Sequence, residues 1–251
     1  MRKISALLTM FLCFLAFSTS ASALTVGGVT WDPNDVLDFS SFSIAIHQDI
    51  NGLTGDVSGY GFISTMNGTD QNAFIPGGEL TFTFGGFTPT ESGVLPQVGG
   101  AAIAYTGGWV NLYVDDSPEI TNPSNPTTLT FANTSDGDLW LALVGHPDST
   151  TADGITLIGT VLGSSALSGV GQLDVIGGLA MLYFDTNQME DGADFNFTNS
   201  FSQFNPTGNL LNANGTGNYF GDSVVPEPAT LMLFGIGLLG LAGITRKKVI
   251  S

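Results

Sequence analysis

Carboxylates are the main chemical resource of this sequence, and several stand in short runs. Asp115 adjoins Asp116, and Glu190 adjoins Asp191 with Asp194 close behind. Loop acids grouped with Asn and backbone carbonyls suit a hard divalent cation, so calcium is the cofactor that these five residues would hold. None of the runs follows the twelve-residue EF-hand pattern, and each also reads as solvated acidic surface. His47 and His146 are the only histidines. A joint zinc or catalytic role competes with two ordinary loop or surface residues. No Gly-x-Ser-x-Gly elbow and no His-Glu-x-x-His run is present. Trp31 and Trp109 are open between a place in the core and stacking on a sugar ring at the edge of a sheet, whereas Trp140 reads as core. Four matches to the glycosylation sequon, at Asn67, Asn133, Asn196 and Asn214, read as coincidence.

The distribution of charge excludes several functions. All five cationic residues (Arg2, Lys3, Arg246, Lys247 and Lys248) lie at the two ends. Of the 22 acidic residues only Glu227 lies outside residues 24–225, which leaves 21 in that segment and no fixed cation. Nucleic acid is excluded as a partner, because phosphate neutralisation needs Lys or Arg. Cationic forks for phosphate or sulfate are excluded by the same absence. The single cysteine is Cys13, so residues 24–225 can have neither disulfides nor thiol chemistry. Stability there must come from apolar burial and backbone hydrogen bonds, against carboxylate repulsion.

The elements that would carry these residues read as strands. Leu80, Phe82 and Phe84 alternate with Thr81 and Thr83, and similar period-two patterns occur at 109–114, 139–144 and 195–198. Further candidate strands are 42–47, 57–64, 127–132, 155–162 and 180–185. Gly-Gly and Asp-Gly pairs punctuate them. One helical turn is allowed at 164–171, and no amphipathic helix is evident. The sequence predicts an all-β domain over 24–206, an antiparallel β-sandwich or jelly-roll-like fold. Residues 207–225 are polar, rich in Gly and Asn, and lack apolar periodicity, so they read as a flexible spacer.

The ends are signals. Arg2-Lys3, the apolar run 4–17 and Ala21-Ser22-Ala23 make an N-terminal signal peptide over residues 1–23, cleaved before Leu24. At the other end stand Pro226-Glu227-Pro228, the apolar run 229–244 and the stop-transfer cations Arg246, Lys247 and Lys248. The run is somewhat short for a transmembrane helix. Motif, apolar helix and basic tail at 226–251 resemble the PEP-CTERM sorting signal of exosortase-bearing Gram-negative bacteria. The resemblance implies an exosortase as partner, transient anchoring in the inner membrane, cleavage near the motif, and delivery to the cell surface or extracellular matrix.

A second resemblance rests on short motifs: Gly28-Val29-Thr30-Trp31-Asp32-Pro33, Gly78-Glu79-Leu80-Thr81-Phe82 with Phe84-Gly85-Gly86-Phe87, Gly107-Gly108-Trp109-Val110-Asn111, and Gly192-Ala193-Asp194-Phe195. Together they resemble flocculation-associated PEP-CTERM proteins. This implies a non-enzymatic role in flocculation or biofilm formation, with an exopolysaccharide or another matrix component as partner. The alternative is an extracellular polysaccharide-active enzyme, a glycoside hydrolase or lyase. Such an enzyme needs two carboxylates across a cleft, and the missing cations weaken it.

Overall fold

A computed structural model describes residues 23–34, 39–91, 101–120, 128–151, 153–162 and 166–225. Residues 1–22 of the expected signal peptide, Pro226-Glu227-Pro228, the apolar run and the cations Arg246, Lys247 and Lys248 lie outside the described residues. Among the described residues, no helix is long and apolar enough to cross a membrane.

The strands are β1 Leu24–Val26, β2 Val29–Trp31, β3 Phe39–Asn51, β4 Val57–Phe62, β5 Thr65–Met66, β6 Thr69–Asp70, β7 Glu79–Pro89, β8 Ala102–Asp115, β9 Asp138–Gly145, β10 Ile155–Val161, β11 Ala166–Gly177, β12 Phe195–Thr207 and β13 Leu210–Gly221. The expected all-β class is present, but the two-sheet sandwich is replaced by a closed barrel. Eight antiparallel strands run in the order β3-β4-β7-β8-β10-β11-β12-β13, and β13 pairs back onto β3. Closure leaves these eight strands without a free edge along the seam.

The closing strand lies in the stretch that reads as a spacer, so that reading is corrected. Residues Leu210–Gly221 pair with β12 on one side and β3 on the other, with Gly221 opposite Phe39 and Leu210 opposite Asn51. The strand does alternate, with Ala213, Gly217, Tyr219 and Gly221 buried. Its inward residues are mostly too small to register as hydrophobic. They are small because their neighbours fill the space. A Cβ on Gly215 would lie 2.2 Å from the Ser200 carbonyl oxygen and 2.5 Å from the Phe201 ring, and one on Gly221 would meet the Phe195 ring at 2.5 Å.

Other local readings also change. Residues 166–171 belong to β11, not to a helical turn, because Leu167 and Gly169 are inward residues paired to β10 and β12. Met181–Phe184 is a single helical turn rather than a strand, and Ala132–Thr134 is a 3-10 turn.

The wall has one irregular slot. β9 and β10 both lie between β8 and β11, one beyond the other along the barrel. β8 kinks where they change over, at Gly107 and Gly108, whose φ angles of 70° and 89° favour glycine. Thr156 Oγ1 donates to the Gly107 carbonyl there, at 2.7 Å. The kink releases the chain at Gly145 and takes it back at Ile155, so a loop emerges partway along the wall.

Large rings fill the interior. Phe82 meets Tyr219 edge-on at 5.4 Å, and Phe197 lies 6.2 Å from Tyr219. A void of about 30 Å³ lies among them. At the end where β13 finishes, Trp31, Trp140, Phe39, Phe184 and Phe195 pack as one aromatic cluster. The β1–β2 hairpin plugs this end. Trp140 Nε1 donates to the Val26 carbonyl, and Trp31 Nε1 donates to Ser223 Oγ, both at 2.9 Å.

If β13 closes the barrel, a chain ending at Thr207 should lose its cooperative thermal transition. Gly215→Val should keep the strand but cost about 3 kcal/mol, the upper range for overpacking a filled core. Urea melts of both variants check this; wild-type stability in the truncated chain would restore the spacer reading.

Candidate functional site

The loop that leaves the slot carries His146 and Ser149. Gly145 hands the chain to His146, whose Nδ1 lies 2.8 Å from Asp174 Oδ1 on the outer side of β11. Its Nε2 lies 4.0 Å from Asp191 Oδ2. Asp191 adopts a φ of 66° in the Glu190–Gly192 turn. Its carboxylate accepts hydrogen bonds from both the backbone N–H and the hydroxyl of Ser149. Those bonds hold the Asp191 carboxyl below the usual range, assisted by His146. The Ser149 hydroxyl thus donates to a carboxylate and not to the imidazole, so no serine–histidine nucleophile is assembled.

Beside this loop the outer wall forms an open groove of about 410 Å³. His146, Asp191, Gln172 and Asn196 supply polar groups, and Ile158 and Val170 supply apolar floor. Gln172 Nε2 donates to the Glu190 carbonyl at 2.7 Å and fixes that turn against the wall. The groove continues onto an uncharged strip. β12 and β13 contain no charged residue. Thr198, Ser200 and Ser202 on β12 stand opposite Asn218, Thr216 and Asn214 on β13.

The five expected calcium ligands fall in three separate places. Asp115 and Asp116 join Asp136 and Asp138 around a hollow of about 570 Å³ near Gly27 and Gly28. Asp115 Oδ1 there accepts from the Ser117 N–H at 2.8 Å. Glu190 and Asp191 border the groove. Asp194 is buried, and its oxygens accept the N–H groups of Val175, Thr186 and Asn187 at 2.6–2.7 Å. It is a backbone anchor, tying the turn after β11 to the start of β12. Among the described residues, no three His, Cys, Asp or Glu side chains converge on a point that could hold a metal ion.

The aromatic candidates separate as well. Trp31 is buried in the aromatic cluster, so its stacking role is corrected: the β1–β2 hairpin turns it into the barrel. Trp109 is half-buried on the outer side of β8, its ring against the backbone of Gly85 and Gly86. His47 stacks on Tyr60 at 4.9 Å and lies 3.2 Å from Asp49 Oδ1 on the outer wall. Asp174, Ser149, Gln172 and Asn196 were not legible as site residues: β9–β11 pairing brings Asp174 and Gln172 to His146, β11–β12 pairing adds Asn196, and Ser149 is fixed only by its bonds to Asp191. The only local signal was the His146-Pro147-Asp148 loop.

After Gly221 only Asp222 to Val225 remain before the prolines, and Val224 N–H is bound to the Tyr183 carbonyl at 2.8 Å. A family model described as the PEP-CTERM protein-sorting motif matches residues 224–247. The chain carries a PEP-CTERM sorting motif. It is thereby an exported protein, sorted by exosortase to the cell surface or the extracellular space. No curated protein and no solved structure matches the chain.

Glu79 gives this acidic domain a titration of its own. It is buried where β7 begins, opposite Asp115 on β8, and accepts the Ile120 N–H at 3.1 Å. Burial pushes its carboxyl above the usual range; the N–H groups of Ile120 and Glu119 oppose this, and Asp115 and Asp136 add to it. A raised folded value means that ionised Glu79 destabilises the fold at neutral pH. That penalty fades as pH falls through the folded value. The gain in melting temperature from Glu79→Gln should therefore be larger at pH 7 than at pH 4. Thermal melts across that window check it, and a gain independent of pH would contradict it.

Proposed function

We propose that this is a non-enzymatic cell-surface or matrix protein of a Gram-negative bacterium, acting in exopolysaccharide-dependent flocculation or biofilm formation. The N-terminal signal peptide is removed on export. The apolar run 229–244 holds the chain in the inner membrane until exosortase processes it.

One observation carries the matrix reading: the uncharged hydroxyl and amide strip on β12 and β13, continuous with the groove, on a domain of 21 carboxylates and no fixed cation. Its hydrogen-bonding groups suit a neutral polyhydroxyl chain lying along the wall, since hydroxyl groups can donate and accept without charge compensation. Trp109 offers a half-exposed ring on the outer side of β8 for sugar stacking. The packed barrel interior points the same way, since binding must then use the outside.

The Asp174–His146 pair facing Asp191 favours a second reading, a polysaccharide hydrolase or lyase, because an oriented imidazole beside a carboxylate can move a proton. One experiment separates the two. A deletion strain should lose aggregation and polysaccharide retention, and wild-type protein should restore both. Thr198→Val with Thr216→Val, present at wild-type level on the surface, should restore neither fully, whereas His146→Ala should restore both. Normal aggregation in the deletion strain would remove the matrix role. Oligosaccharide release that depends on His146 would establish the enzyme.

A further inference from the structure

The end of the barrel from which the chain leaves carries three exposed leucines, Leu139, Leu179 and Leu182. Val224 is bound to Tyr183, and Leu182 precedes Tyr183 in the same helical turn with 74% of its surface exposed. Leu179 is 51% exposed, and its N–H donates to the carbonyl of Leu139, itself exposed, at 3.1 Å. Val225, the last described residue, is 48% exposed. These residues flank a single exit point, tied to the aromatic cluster through Ser223 and Trp31.

The sequence beyond the exit says what covers them. Only Pro226, Glu227 and Pro228 separate Val225 from the apolar run that begins at Ala229. Four residues reach at most about 14 Å. With no spacer ahead of Val225, an anchored chain must hold this end of the barrel against the membrane. We propose that, before processing, Leu139, Leu179 and Leu182 seat in the headgroup–acyl boundary of the bilayer, so that the barrel stands on this end. The proposal rests on the anchoring reading above.

Leucine suits that boundary, and a short tether supplies an effective concentration in the millimolar range, so even a weak contact forms while the chain is anchored. The charges on this end set the lipid preference. Asp138 adjoins Leu139, Asp185 adjoins the helical turn, and Asp222 adjoins Ser223; Asp115, Asp116 and Asp136 rim the nearby hollow. No described residue supplies a Lys or Arg to offset them. The seat therefore fits a zwitterionic surface and is opposed by an anionic one.

The opposite end provides the control. Asn51 pairs with Leu210 at the far end of the β3–β13 seam, and Leu53 in the turn beyond is 70% exposed. Residues 24–251 contain no cysteine, so Leu182→Cys or Leu53→Cys gives a single labelling position. The labelled chain 24–251 is reconstituted into phosphatidylcholine–phosphatidylethanolamine vesicles containing brominated lipid. Strong quenching at 182, none at 53, and weaker quenching at 182 when Leu179→Ser is added or phosphatidylglycerol is included are expected. A chain that floats with vesicles yet shows no quenching at 182 overturns the seat and leaves anchoring intact. A chain that does not float with vesicles overturns both. A blue shift at 182 that grows with protein concentration, without quenching, assigns the leucines to a second copy and overturns the seat.

Discussion

The β3–β13 seam is the constraint on which the rest of the molecule depends. It joins the first long strand to the last and converts an eight-strand sheet into a barrel. Without it, β3 and β13 would each present a row of unpaired backbone groups, and β13 would expose a strip of Gly and Asn with little of its own to bury. With it, the small inward residues of β13 become sockets for Phe195, Phe201 and Ile46. The seam also fixes where the chain ends. Because β13 stops opposite Phe39, the sorting motif leaves beside the aromatic plug, and the barrel is complete before the motif begins. Processing near Pro226 can then remove the C-terminal run without unpicking a strand.

A domain with 21 carboxylates and no Lys or Arg must place its acids without ion pairs to fixed cations. The structure uses backbone N–H groups in their stead. Asp194 takes three of them, and Glu79 takes that of Ile120. The two histidines take positions a cation would otherwise fill, His47 beside Asp49 and His146 between Asp174 and Asp191. Asp116, Asp136 and Asp148 stand in turns and loops between strands. Two long neighbouring strands, β12 and β13, are free of charge, and this segregation leaves an uncharged strip on the outer wall.

The sequence made the strand content visible wherever inward residues were large. The patterns at 80–84, 109–114 and 139–144 became β7, β8 and β9 because Leu, Phe and Val mark the buried face. Closure was hidden for the opposite reason: β13 turns Ala and Gly inward, and glycine carries no hydrophobic signal even where it is buried. Trp31 stayed open between core and surface because its strand is three residues long, too short to show alternation. The groove depends on Asp174 meeting His146 across β9 and β11, a register that no single-strand pattern encodes. The sorting motif was legible at once, because its meaning lies in local order along the chain and not in packing.

Amide hydrogen exchange of the folded protein tests the central claim most directly. If the seam closes the barrel, the paired amides of β13 and β3 should exchange as slowly as those of β7 and β8, since all would open only with the whole barrel. Exchange of the β13 amides at unstructured-chain rates, with β7 and β8 still protected, would mean an open sheet with a loose tail, and the account built on closure would fall.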